Sequence, residues 1–164
     1  MTSMKYLFYY DSPAGKLGIM EDSQKIAGVF FKNEKKAARY AGGAVIKETA
    51  LIKKTVSQLK EYFKGKRKVF DIPLQLTGTG FQLAVWEALQ KIPFGITRSY
   101  KEIAAEAGNP KACRAAGMAN NRNPIAIIIP CHRVIGADGS LTGYGGGLDK
   151  KRYLLELEGI VCNP

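Results

Sequence analysis

The stretch SYKEIAAEAGNPKACRAAGMAN, Ser99–Asn120, decides how the carboxy-terminal half of this chain folds. Ser99 is a good N-cap and Glu102 stands three residues on, the spacing of a capping box, which predicts a helix over Tyr100–Ala107. Gly108-Asn109-Pro110 is a tight turn, and Pro110 suits the first turn of a second helix, Lys111–Asn120. Two short helices around a Gly-containing turn outline a helix-turn-helix. Small residues dominate the second helix, which lets a bulky backbone approach closely, as nucleic acid demands. Packing against another helix explains them as well, and periodicity alone favours packing. Arg114 is the long cation on that short-chained surface. It either replaces an extruded base in a duplex stack or is simply solvated.

Outward from this core, Phe81, Ala84, Val85, Ala88, Leu89 and Ile92 mark a preceding helix stopped by Pro93 and Gly95. Downstream, Ile125–Ile129 is a buried apolar run ended by Pro130. Six glycines between Gly136 and Gly147 make a loop, and Leu148, Tyr153, Leu154 and Leu157 pattern a last helix. The amino-terminal part reads as strands: Lys5–Tyr10, Leu17–Met20 and Ile26–Phe31, separated by the turn residues Ser12–Lys16 and Glu21–Gln24. Lys32–Gly43 is a loop or short helix, Thr49–Lys64 an amphipathic helix ended near Gly65, and Val69–Gln75 a further strand. The expected organisation is an α/β domain over residues 1–75, a linker over 76–80 (Leu76-Thr77-Gly78-Thr79-Gly80), and a second domain over 81–164.

The 164 residues include 25 Lys+Arg against 14 Asp+Glu, a formal charge of +11. With 46% hydrophobic and 24% charged residues the chain is globular, which excludes collagen, a disordered tail and a disulfide miniprotein. No apolar run reaches the ~18 residues of a membrane span, and the amino terminus lacks the pattern of a secretory signal, so a cytoplasmic protein is expected. The charge favours a polyanionic partner, although a solvated basic surface explains it equally well. Residues 1–80 carry 15 basic and 7 acidic side chains, residues 81–164 carry 10 and 7, and the densest cluster is Lys64, Lys66, Arg67 and Lys68. Cys113, Cys131, Cys162 and the lone His132 fall short of a closed four-ligand zinc site, so no metal is expected.

Chemistry concentrates in Pro130-Cys131-His132-Arg133. Thiolate is the reactive form of cysteine, and a neighbouring base or cation favours it. Cys131 has the only histidine beside it and a cation one place further. A small buried hydrophobe is the commoner fate of a single cysteine. Adjacent side chains tend to point apart, so a bridging water is one route for the proton. A basic histidine also needs an orienting carboxylate, which spacing does not identify.

Taken together, FQLAVWEAL, GITRSYKEIAAEAGNPKACRAAG, NRNPIAIIIPCHRVIG and LTGYGGGLDKKRYLLELEG, in this order between Phe81 and Gly159, resemble the O6-alkylguanine-DNA alkyltransferases, also called methylated-DNA–protein-cysteine methyltransferases. The resemblance implies an amino-terminal, ribonuclease-H-like antiparallel sheet with a helix, and a carboxy-terminal, winged-helix-like helical domain with a short sheet and the helix-turn-helix. It implies a single-turnover methyltransferase in which Cys131 takes the alkyl group from O6 of guanine in double-stranded DNA and is spent; whether O4-alkylthymine is also a substrate stays open. His132 takes the thiol proton through a water, Glu158 orients His132, Asn123 fastens the neighbouring turn, and Tyr100 donates to the leaving guanine and crowds the phosphate. Arg114 fills the gap left by the flipped base, and the small residues around it, Ala115 and Gly117 among them, enter the minor groove. Val134, Tyr144 and Gly145 line the base pocket, with Lys151 near the thiol. The expected protein is a monomer that needs no cofactor, with cooperative binding on DNA left open. Asn121 stands where the family commonly has glycine, Ala116 where it has valine, Tyr153 where it has tryptophan, and Cys113 where a small residue is usual. None of these removes a proposed catalytic group. Two further readings remain: a lesion-binding module without chemistry, and a Cys-His-Glu hydrolase.

Overall fold

The computed structural model describes residues 4–162, and its chain forms two compact units, Met1–Leu76 and Thr77–Pro164. In the first, β1 (Lys5–Ser12), β2 (Gly15–Asp22) and β3 (Lys25–Phe31) form an antiparallel meander. Two-residue turns fix the register. Ser12 pairs with Gly15 across Pro13-Ala14, and Asp22 pairs with Lys25 across Ser23-Gln24. Ser23 and Gln24 have φ of 55° and 64°, the left-handed pair that a twisted hairpin requires. Gly18 faces Phe30 so closely that a Cβ there would lie 2.4 Å from the ring, so the aromatic packs directly onto β2 backbone.

A short helix α1 (Ala37–Ala41) and the two-residue β4 (Val45–Ile46) follow, and β4 adds to β1 in parallel, giving the order β3-β2-β1-β4. Helix α2 (Ala50–Phe63) lies within the expected Thr49–Lys64. Thr49 caps it by accepting from the Ile52 N–H at 3.1 Å, and Ile52, Thr55, Leu59, Tyr62 and Phe63 are buried. Val69–Gln75 does not form the expected strand. It contributes one bridge, Ile26 to Leu74, with the Gln75 N–H donating to the Ile26 carbonyl. Pro73, in the middle of it, has no N–H to give to a ladder.

In the second unit, α3 (Gly80–Gln90) begins at a capping box of Thr79 and Gln82, and α4 (Tyr100–Glu106) at the capping box of Ser99 and Glu102. Helix α5 is Cys113–Asn121, not Lys111–Asn120. The Asn109 side chain accepts from the Lys111 N–H at 3.2 Å and its carbonyl from the Ala112 N–H, so these residues belong to the turn. Trp86 on α3 ties the pair down by donating to the Ala119 carbonyl at 2.9 Å. Ile125–Ile129 is buried except for Ile128, which is half-buried, but it winds in tight turns rather than extending, with Ile127 at φ 70°. A 3-10 turn (Cys131–Arg133) leads into β6 (Val134–Ile135), which pairs in parallel with β5 (Arg98–Ser99), and α6 (Leu148–Leu157) closes the unit. No helix among the described residues is long and apolar enough to cross a membrane.

Candidate active site

The turn Cys131–Arg133 buries three consecutive reactive side chains, which an extended segment would send to opposite sides. Asn123 shapes the approach to it. Its side-chain amide donates to the Ile129 carbonyl at 2.8 Å and its oxygen accepts from the Ile125 N–H at 3.0 Å, which cross-braces the tight turns before Pro130. Asn120, at the end of α5, donates to the Cys131 carbonyl at 3.4 Å, and the Val134 N–H donates to the same carbonyl. The Cys131 side chain is thus carried on backbone pinned from both flanks, and the residue is only 6% exposed, so a reactant has to enter the protein to meet it.

His132 is fully buried, and its Nε2 lies 2.6 Å from Glu158 Oε2. An ionised carboxylate only accepts, so the proton sits on Nε2 and leaves Nδ1 as a lone-pair acceptor. Nδ1 is buried and has no hydrogen-bond partner among the described residues. Burial pushes the imidazole below its ordinary value of 6.5, against the pull of Glu158. The histidine therefore rests neutral, with its basic nitrogen unoccupied by any described residue. Burial also works to raise the Glu158 carboxyl, but His132, Arg133 and the Gly95 N–H outweigh it and hold the group down at about 2.

Arg133 belongs to this cluster in a way the sequence did not indicate. Instead of lying beside the thiol as a bare cation, it donates Nε to Glu158 Oε1 at 2.8 Å and Nη2 to Oε2 at 3.2 Å. Its Nη1 donates to the Ile92 carbonyl at 2.6 Å, and the guanidinium lies over the Phe94 ring. With the Gly95 N–H at 3.0 Å from Oε1, one carboxylate gathers the end of α6, the turn after α3 and the Cys131 turn. No local sequence signal gives this clamp, because the carboxylate that Arg133 grips lies 25 residues further along the chain.

A second cluster surrounds Tyr100. Its hydroxyl donates to the Thr142 carbonyl at 2.9 Å, and the fully buried Lys151 donates to that same carbonyl at 2.8 Å, with its Nζ 3.5 Å from the Tyr100 oxygen. Burial lowers Lys151 from 10.5 to about 8 and raises the Tyr100 phenol, and both groups feel the charge of Cys131. Gly117 on α5 faces the Tyr100 ring, where a Cβ would sit in ordinary contact at 3.6 Å. Val134 is buried next to the Cys131 turn, and Tyr144 and Gly145 lie in the loop that carries Thr142. Arg114 and Ala115 stand on the exposed face of α5. Cysteine, imidazole, carboxylate, phenol and ammonium thus converge, and the α5 cation faces solvent. No group of three or more His, Cys, Asp or Glu residues suited to a metal occurs among the described residues.

Comparison with known proteins joins both units to one family. Residues 5–76 match the ribonuclease-like domain of 6-O-methylguanine DNA methyltransferase, and residues 80–160 match its DNA binding domain. A methylated-DNA–protein-cysteine methyltransferase of Methanosarcina acetivorans is 50% identical over 154 residues, 94% of this chain and 98% of its own length. The crystal structure of the Mycobacterium tuberculosis O6-methylguanine methyltransferase is similar at a TM-score of 0.87 and 46% identity, covering 94% of this chain and 93% of that one. A crystal structure of Mycobacterium tuberculosis OGT in complex with DNA is similar at 0.83 and 46%, covering 93% and 92%. The likeness spans both units, and the Cys131, His132 and Glu158 cluster falls inside the matched residues, so this chain belongs to the 6-O-methylguanine DNA methyltransferase family.

Proposed function

We propose that the protein repairs double-stranded DNA by taking the alkyl group from O6 of guanine onto Cys131, once per molecule. One observation carries the reading: a buried thiol is followed in the chain by a neutral imidazole whose Nε2 is locked to Glu158 and whose Nδ1 has no partner among the described residues. In the reaction, Nδ1 receives the Cys131 proton through a water. The sulfur forms its bond to the alkyl carbon as the carbon–O6 bond breaks, and the electron pair leaves on guanine. Tyr100, poised at its hydrogen bond to Thr142, donates to the departing base, where charge develops. Lys151 holds the Thr142 carbonyl and supplies positive potential beside the thiolate. No redox change occurs, so the step balances without a cofactor. A thioether is inert to water at ordinary pH, so the sulfur stays alkylated.

The alkyl carbon is unreachable inside a stacked duplex, so the nucleotide is flipped out, at a cost of a few kcal/mol that a poorly paired lesion reduces. Arg114 on α5 fills the gap, Ala115 and Gly117 admit the minor groove, and Val134, Tyr144 and Gly145 receive the base.

The test is incubation with duplex DNA carrying O6-methylguanine, followed by mass spectrometry. A gain of one methyl on Cys131, saturating at one per molecule, is expected. Binding without mass change would indicate a lesion-recognition module, and repair in molar excess over protein would indicate turnover; either outcome overturns the proposal. Cys131→Ala is expected to abolish transfer and retain lesion binding.

A further inference from the structure

We propose that the exposed face of α2, in the unit outside the matched DNA binding domain, is a second DNA-contacting surface that holds the sugar-phosphate backbone without regard to sequence; its partner rests on the alkyl-transfer reading above. The buried side of α2 is set by Ile52, Thr55, Leu59, Tyr62 and Phe63. Opposite them Lys53, Lys54, Ser57, Lys60 and Lys64 are all exposed, at the three- and four-residue steps that align side chains along one helix face. From Lys53 to Lys64 this stripe runs about 16 Å at ~1.5 Å per residue. Exposed Lys66 and Lys68 continue it beyond the helix end. One strand of a duplex presents a phosphate every ~3.4 Å along its axis, so the stripe matches a run of several.

Little opposes this charge. Glu61, the acidic residue within α2, is engaged by Arg67 at 3.5 Å, and Arg67 also donates to the Val69 carbonyl. Glu48 precedes the helix, and Asp71 follows it with its backbone tied to Gln58. Lys53, Lys54, Lys64 and Lys66 make no ion pair among the described residues, and Lys60, itself an exposed residue, has its Nζ 5.8 Å from the Tyr10 ring centroid.

The second unit has fewer cations, 10 against 15, and although Lys101, Lys111, Arg114 and Arg122 are exposed there, half of the 10 are buried or paired. Arg133 and Lys151 are buried, while Lys91, Arg98 and Arg152 are paired with Glu106, Glu102 and Glu156. Sequence-independent affinity for DNA comes from released counterions and so follows the number of phosphates that lysine and arginine neutralise. On this chain those cations are concentrated in the first unit, with 15 basic residues against 7 acidic before residue 81.

The experiment measures the affinity of the full-length protein for a lesion-free duplex of about 20 base pairs across a salt series. It compares wild type, the combined Lys53→Gln, Lys54→Gln, Lys60→Gln and Lys64→Gln variant, and a control with Lys5, Lys25, Lys32 and Lys35 changed to Gln. The stripe variant is expected to bind at least tenfold more weakly at low salt, with its log–log salt slope shallower by about 0.9 for each phosphate that is no longer neutralised. The control is expected to retain most of the wild-type slope. Both variants are expected to take the benzyl group from free O6-benzylguanine at the wild-type rate, because that reaction involves no phosphate. An unchanged slope in the stripe variant, or an equal decrease in the control, overturns the inference. So does an unchanged DNA slope accompanied by lost binding to anionic phospholipid vesicles, which would make this a membrane surface. Failure of wild type to become alkylated at Cys131 would instead strike the alkyl-transfer reading and leave the salt measurement standing.

Discussion

At the scale of single residues, Glu158 carries the largest consequence. Its two oxygens serve His132, Arg133 and the Gly95 N–H together, inside protein. Removing one partner of a buried ion pair leaves the other charge desolvated, at a cost of about 3–5 kcal/mol. Glu158→Ala is therefore expected to lower stability by that amount in urea denaturation and to slow transfer, since the imidazole loses both orientation and tautomer. A decrease of less than about 1 kcal/mol would mean that Arg133 finds water instead. Gly143 offers a different balance. A Cβ there would lie 3.1 Å from Asn121 Nδ2, but Asn121 is exposed and its amide is free to rotate away, whereas the backbone φ of 51° stays unfavourable for any side chain. The left-handed conformation costs ~1–2 kcal/mol, more than moving one amide. Gly143→Ala is expected to destabilise by about that much, and adding Asn121→Gly to rescue little of it. Full rescue in the double variant would assign the cost to the side-chain clash.

At the scale of elements, α5 divides its labour by face. Ala116, Ala119 and Asn120 are buried, while Cys113, Arg114, Ala115 and Met118 are exposed. If Arg114 acts by occupying the space of a flipped nucleotide, Arg114→Ala should slow repair in duplex DNA by tenfold or more and leave the reaction with free O6-benzylguanine nearly unchanged. Equal slowing of both would place its role at the chemistry and not at the duplex. Helix boundaries are legible where a local side chain decides them, as with Ser99 and Glu102 before α4 and Thr49 before α2. They mislead where a competing local bond wins, as at Asn109, which draws Lys111 and Ala112 into the turn and delays α5. β4 is invisible in the sequence because two residues carry no period, and its pairing with β1 depends on a strand some forty residues away. The Cys131 and His132 pair is readable, but Glu158 requires the family resemblance, and the Arg133 clamp shows only in the folded chain: a carboxylate 25 residues distant leaves no mark on local spacing.

At the scale of the whole molecule, the buried titratable groups give stability a pH dependence with a definite sign. Glu158 is held at about 2 against an ordinary 4.5, so its contribution is complete above 4.5 and is lost as pH falls toward 2. His132 is pushed below 6.5, so the unfolded chain binds its proton more readily, and stability rises with pH through that range. Lys151 behaves the same way higher up. Its folded value is about 8 and its ordinary value 10.5, so below 8 the fold bears the penalty of a buried ammonium, and the penalty is relieved as pH climbs from 8 to 10.5. Tyr100 and Tyr40 oppose this only near and above 10, and the Cys162 thiol near and above 9, because in each case burial raises the folded group and the unfolded one releases its proton first. The three lower groups all favour the alkaline side, and a single group can contribute a slope of up to ~1.4 kcal/mol per pH unit. The urea midpoint is therefore expected to be higher at pH 9 than at pH 7, contrary to the usual maximum between about pH 5 and 8. Lys151→Met keeps the length of the side chain and removes the charge, so it should raise stability at pH 7 relative to wild type and shrink the gain on moving to pH 9. If the gain persists undiminished in that variant, the alkaline preference arises from the general surplus of surface cations and not from the buried lysine beside the thiol.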